Sequence, residues 1–165
     1  MDLQEKQKII NTLIELYDNR IQLIRPLTEQ NNTGGKIRAA NGKLGEDISK
    51  VAWQMIGDKY VKSHGIIFRT IKGDNEKVTC INSKGNRLEV QVDRHQYIGK
   101  RLIHVEECKS YLDRCYMERA MVDFVRIREY NPNASTSILA LEDCVKKESF
   151  DFLMDEGVID TVSFL

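Results

Sequence analysis

Apolar residues three and four apart run through the first part of the chain, at Ile9, Ile10, Leu13, Ile14, Tyr17, Ile21 and Ile24. That spacing predicts an amphipathic helix over 3–25 that ends before Pro26. The stripe resumes at Ile48, Val51, Ala52, Met55, Ile56 and Tyr60, predicting a second helix over 46–62. Its first turn then carries Glu46 and Asp47, where the positive end of the helix dipole favours acids. Between the two stripes, 30–45 is rich in Asn, Gly and cations and is predicted to be a loop. From Gly65 the period falls to two. β-rich segments at 66–71, 77–81, 87–98 and 101–109, separated by short polar turns, predict an antiparallel meander. Helical spacing returns over 112–129 and is ended by Asn131-Pro132-Asn133. A short buried strand at 137–141, a helix at 142–154 and a strand-like end at 158–165 complete the order ααββββαβαβ, an α/β arrangement.

Length and composition narrow the class. The 165 residues leave room for one domain, and 41% hydrophobic with 30% charged residues is too apolar for a disordered chain. Lys plus Arg and Asp plus Glu are 25 each, so polyanion binding must come from a local patch and not from net charge. No apolar run is long enough for a membrane span, and the N-terminus lacks a secretion signal. The four cysteines show no CxxC spacing, arguing against a zinc site and for reduced thiols in a cytoplasm.

The informative stretch is Val92-Asp93, thirteen residues, then Glu107-Cys108-Lys109. A hairpin turning at Gly99-Lys100 pairs residues whose numbers sum to about 199 or 200, which puts Asp93 opposite Glu106 or Glu107. Ile103, Val105, Glu107 and Lys109 share a face by the period of two. Two carboxylates this close repel unless a hard cation neutralises them, and Mg²⁺ is usually held by one or two carboxylates plus waters and phosphate oxygens. Lys109 beside them can orient or deprotonate a water, or stabilise charge on a phosphate.

Asp93, Glu107 and Lys109, in an apolar strand followed by a helix, resemble the PD-(D/E)xK nuclease superfamily, which includes most type II restriction endonucleases. The resemblance implies a restriction-endonuclease-like mixed sheet, an antiparallel meander plus a crossover strand, flanked by helices. The family core is an αβββαβ unit, matched here by 46–141. Residues 1–45 then form an N-terminal helix and basic Gly/Asn loop, and 142–165 a C-terminal helix and strand, within a single nuclease domain over 1–165. The resemblance also implies Mg²⁺ held by Asp93, Glu107 and the Cys108 carbonyl, with Mn²⁺ able to substitute and Ca²⁺ binding without catalysis. Gly45-Glu46 fits the place of an acid on the first core helix that assists the site. This chain departs from the pattern in having Val92 where Pro is usual, and one β-rich segment more than the core needs.

The implied substrate is double-stranded DNA, approached through Lys36, Arg38 and Lys43 of the predicted loop. Little of the chain is left over for reading bases, so it resembles the small, one-strand cleavage subunit of a heterodimeric type IIS restriction endonuclease with a larger recognition partner. A self-sufficient homodimer is the nearest competitor, and a non-enzymatic binding or scaffold protein with ordinary surface charges is the rival from another class. Elsewhere the structural reading prevails. Glu106 points away from Lys109 and suits a solvated or helix-facing role. His95 and His104 have no metal-spaced partners, and Cys108 has no His placed to activate it. The arginines Arg114, Arg119, Arg126 and Arg128, interleaved with acids, read as a salt-bridged helix surface.

Overall fold

The computed structural model describes the backbone of residues 2–29 and 34–165, and their side chains except those of Arg20, 23–29, 34–38, Tyr60, Lys62 and Ser63. The elements run α1 (Leu3–Glu29), α2 (Gly34–His64), β1 (Phe68–Lys72), β2 (Val78–Ile81), β3 (Arg87–Val90), β4 (Arg94–Ile98), β5 (Arg101–Lys109), α3 (Arg114–Tyr130), β6 (Ser135–Ala140), α4 (Lys147–Asp155) and β7 (Thr161–Phe164). The five-stranded sheet has the order β1-β4-β5-β6-β7, with β1, β4 and β5 antiparallel and β5, β6 and β7 parallel. Strands β2 and β3 form a separate two-stranded ribbon.

Two expectations are corrected. The meander is not continuous: β1 pairs with β4, and β2–β3 is an insertion between them, which accounts for the surplus β-rich segment. Removing it leaves α2-β1-β4-β5-α3-β6, the expected αβββαβ order. The predicted strand 87–98 breaks accordingly at 91–93, where the chain leaves the ribbon and re-enters the sheet.

The second correction concerns the predicted loop over 30–45. Residues 34–45 are the first turns of α2, while 30–33 lie outside the described residues. Burial outweighs the glycines: an interior Gly costs about 1 kcal/mol against Ala, whereas Leu44 and Ile48 are fully buried against Leu13, Leu16, Tyr17 and Ile21 of α1. Each such burial contributes about 1.5–3 kcal/mol. Glu46 is therefore in the interior of α2, not in its first turn, so the dipole argument for it fails. Helix α1 likewise continues past Pro26, which removes a single backbone bond in its last turns.

The sheet separates two layers. On one face lie α1 and α2, with Leu139 and Leu141 joining their apolar cluster. On the other, the ribbon residues Val78, Cys80 and Val90 pack with Val105, Ile138 and the α3 residues Met117, Ala120, Phe124 and Ile127. A β-bulge between Gln96 and Tyr97 of the β4–β5 pairing gives β5 one extra residue. Leu102 and Val105, three apart, consequently belong to the same core. Among the described residues no helix is long and apolar enough to cross a membrane.

Candidate active site

Strand β5 carries the site, and alternation decides which side chains meet. The pairs Arg94↔Glu106 and His95↔Val105 hold the sum of 200, so the register runs on to set Asp93 opposite Glu107. Asp93 itself stands one residue before β4. Its Oδ2 accepts the Cys108 N–H at 2.7 Å, extending the ladder by one side-chain bond. Within a strand one residue's N–H and C=O point to the same neighbour, so the Cys108 carbonyl opens on the Asp93 side as well.

Glycine at 73 is what allows this bend. The Gly73 N–H donates to the Asp93 carbonyl at 3.1 Å, and a Cβ on residue 73 would overlap the Val92 carbonyl oxygen. Only glycine permits backbones to approach so closely. The residue is legible in the sequence only as part of a Gly-Asp-Asn turn, and its role depends on a backbone about twenty residues further along the chain.

Glu107 and Lys109 point the same way, as the period of two requires. The Lys109 ammonium is hydrogen-bonded to Glu107 Oε2 and stands 3.6 Å from Asp93 Oδ2. The side chains of Asp93, Lys109 and Glu107 are 31%, 22% and 10% exposed, grading from the opening inward. Burial, opposed by the Lys109 charge and reinforced by Asp93, pushes the Glu107 carboxyl up to about 7. Burial works against the Lys109 charge, but the two carboxylates outweigh it and raise its pKa.

These three residues form the floor of an open cleft of about 500 Å³ between α3 and the ribbon. Tyr116, Arg119 and Arg126 of α3 supply one wall, and Glu89 and Gln91 of the β3 end supply the other. Helix α3 starts on its own cap, with Asp113 accepting the Tyr116 N–H at 2.8 Å, which fixes its first turn just after Lys109. The salt-bridged surface expected for this helix holds in part: Arg114 pairs with Glu118 at 2.7 Å, Arg126 with Asp123 at 3.4 Å, and Arg128 with Asp160. Arg119 makes no ion pair among the described residues. Its place in the cleft could have been found from the spacing of Tyr116, Arg119, Asp123 and Arg126, which is a single helical stripe.

The other candidates lie apart from this floor. The Glu46 carboxylate pairs with Lys72 at 2.9 Å, and its backbone carbonyl accepts Arg94 Nη2 at 3.0 Å. It does not line the cleft. Lys43 is exposed on α2, on the opposite face of the sheet, and is not brought into the cleft either. The side chains of Lys36 and Arg38 lie outside the described residues. Glu106 takes the helix-facing role: it is buried against α2, where Ser49 Oγ donates to Oε1 and Ser137 Oγ donates to Oε2 at 3.2 Å. Burial raises its pKa despite these bonds.

His95 sits between the Glu76 carbonyl at 2.7 Å and the Tyr97 hydroxyl at 3.2 Å. His104 sits between the hydroxyls of Ser135 and Ser137 at 2.7 and 2.9 Å. Both are structural. Burial pushes the Cys108 thiol well up, the opposite of an activated nucleophile.

The donor set fits a hard cation of low side-chain demand. Among the described residues no three His, Cys, Asp or Glu side chains gather as a metal cage. Two carboxylates facing an open cleft, with a backbone carbonyl on the Asp93 side of β5, are nonetheless what Mg²⁺ takes, since it keeps several waters and is commonly held by one or two protein carboxylates.

No protein-family model matches the chain. It is similar to the type II restriction enzyme DdeI of Desulfomicrobium norvegicum, with 22% identity over 167 residues covering 81% of this chain and 65% of that enzyme. The chain thus spans less than two thirds of the relative it matches. Among solved structures it is similar to NucC of P. aeruginosa ATCC27853 in its cAAA-bound form, with a TM-score of 0.50 and 13% identity over 88% of this chain and 70% of that one. The protein has a restriction-endonuclease-like α/β fold, a five-stranded mixed sheet flanked by helices.

Proposed function

We propose that this protein is a Mg²⁺-dependent DNA endonuclease whose site is Asp93, Glu107 and Lys109. The observation that carries this reading is the convergence of two carboxylates, one on β5 and one just before β4, on one lysine at the floor of an open cleft. Burying such acids side by side is costly for a protein that makes no use of them. The similarity to a restriction enzyme supports DNA as the substrate.

Asp93, Glu107 and the Cys108 carbonyl would hold the cation, which when bound offsets the two carboxylate charges and polarises the scissile phosphate. Mn²⁺ would serve in its place, and Ca²⁺ would bind without supporting cleavage. The protein's own contributions are positional. The Cys108 N–H fixes one Asp93 oxygen and leaves the other for ligation. Lys109, anchored between two acids, directs its remaining hydrogens at the attacking water or at a phosphate oxygen. Glu46 supports the Asp93 end from α2, through its carbonyl on Arg94 and its carboxylate on Lys72.

On this reading each chain cuts one strand, and a larger recognition subunit of a heterodimeric type IIS enzyme supplies sequence specificity. Incubation with supercoiled plasmid and Mg²⁺, alone and with the product of the neighbouring gene, tests it. Nicking by the lone chain that disappears with EDTA and in Asp93→Ala is expected. Linear product from the lone chain would assign a homodimer instead, and inactivity under every condition would overturn the nuclease reading.

A further inference from the structure

The stripe Tyr116, Arg119, Asp123 and Arg126 faces the cleft while Met117, Ala120, Phe124 and Ile127 hold the same helix to the core. Position is therefore imposed on the cleft-facing residues by a fully buried face. Ala120, itself buried, lines the cleft beside them, so the helix backbone comes close to the opening there.

The two walls differ in charge. The α3 wall presents two guanidinium groups, with Asp123 between them holding Arg126 at 3.4 Å. The ribbon wall presents Glu89, whose nearest cation is Lys77 at 3.9 Å, and Gln91, which donates to Asp74 at 3.1 Å. A polyanion entering this cleft is drawn to α3 and repelled from Glu89. Arg119 is the guanidinium that needs no partner displaced, being without an ion pair among the described residues.

Resting on the nuclease reading of the floor, we propose that the α3 wall is a track for the cleaved DNA strand. Arg119 grips a phosphate next to the scissile one, and Arg126 grips a second after exchanging Asp123 for it. Residues 119 and 126 are two helical turns apart, about 10.5 Å. A strand winds about the duplex axis, so its consecutive phosphates lie further apart through space than the axial rise of about 3.4 Å, and the two guanidinium groups match phosphates about two nucleotides apart. The planar fork of Arg suits bidentate phosphate contact, and a track of this kind positions the strand without reading bases.

Binding of the full-length chain to a fluorescent duplex in Ca²⁺, measured from about 50 to 200 mM salt, tests the proposal. Arg119→Ala should weaken binding on unrelated sequences alike and lower the slope of log affinity against log salt by about one. Arg119→Lys should restore the slope, since the charge returns. Asp123→Asn should tighten binding by freeing Arg126. An unchanged salt slope in Arg119→Ala, with the unmodified protein binding and cutting normally, would overturn the track and leave the nuclease reading standing. A protein that neither binds nor cuts DNA would overturn both.

Discussion

Glu106 and Glu107 are adjacent acids on one strand, both buried, and they have opposite fates. Glu106 faces the α2 side of the sheet, where the hydroxyls of Ser49 on α2 and Ser137 on β6 donate to its two oxygens. Glu107 faces α3, where its partners are a lysine and a second acid, and the floor they make is open to a 500 Å³ cleft. Burial raises the pKa of both. A perturbed acid is therefore a poor marker of chemistry on its own. What separates the two is a charged partner set with access for a ligand.

Variants can break this asymmetry. The largest effects belong to the cleft side. Asp93→Ala and Lys109→Ala should each lower cleavage roughly 10²-fold or more in a plasmid assay. They should part company in Ca²⁺ titration, where only Asp93→Ala loses binding, because a protonated lysine is not a ligand. Gly73→Ala comes next. Its Cβ must displace the Val92 carbonyl, at a cost of about 1–3 kcal/mol in a denaturant melt. The shift of Asp93 should lower cleavage by up to about 10²-fold.

On the α2 side, burial pushes His104 down to about 4 from its usual 6.5. The unfolded chain then binds the extra proton first, so stability falls as pH drops from about 6.5 towards 4, by up to about 3 kcal/mol. His104→Asn should lose that part of the pH dependence in paired melts across this range. The smallest effect is expected for Lys36, Arg38 and Lys43 all changed to Ala. Because Lys43 stands on the α2 face and not in the cleft, gel-shift affinity should fall only a few-fold, equally on unrelated duplexes.

The hairpin arithmetic was enough to bring Asp93 opposite Glu107, because the pairs beside the Gly99 turn sum to 199 and those from residue 94 to 96 sum to 200, the one-residue bulge between them staying within the range that the turn sets. The shared face of Glu107 and Lys109 follows from alternation alone. What stayed hidden depends on tertiary contact. Gly34, Gly35 and Gly42 read as breakers, and only the docking of Leu44 and Ile48 on α1 makes that stretch helical. The ribbon is indistinguishable from meander strands until Gly73 is seen meeting Val92, and the bulge at Gln96 leaves no compositional mark. Arg119 resembled its neighbours because each arginine on α3 has an acid nearby in sequence; only the fold tells which of them lacks a partner.

The central claim is that the Glu107 face binds a hard cation and the Glu106 face does not. Calorimetric Ca²⁺ titration of Glu106→Gln and Glu107→Gln beside the unmodified protein tests it directly. Glutamine keeps the shape and the hydrogen-bonding oxygen in both places, so fold and packing are matched. Binding like that of the unmodified protein is expected in Glu106→Gln, and no detectable binding in Glu107→Gln. Equal loss in both, or retention in Glu107→Gln, would contradict it.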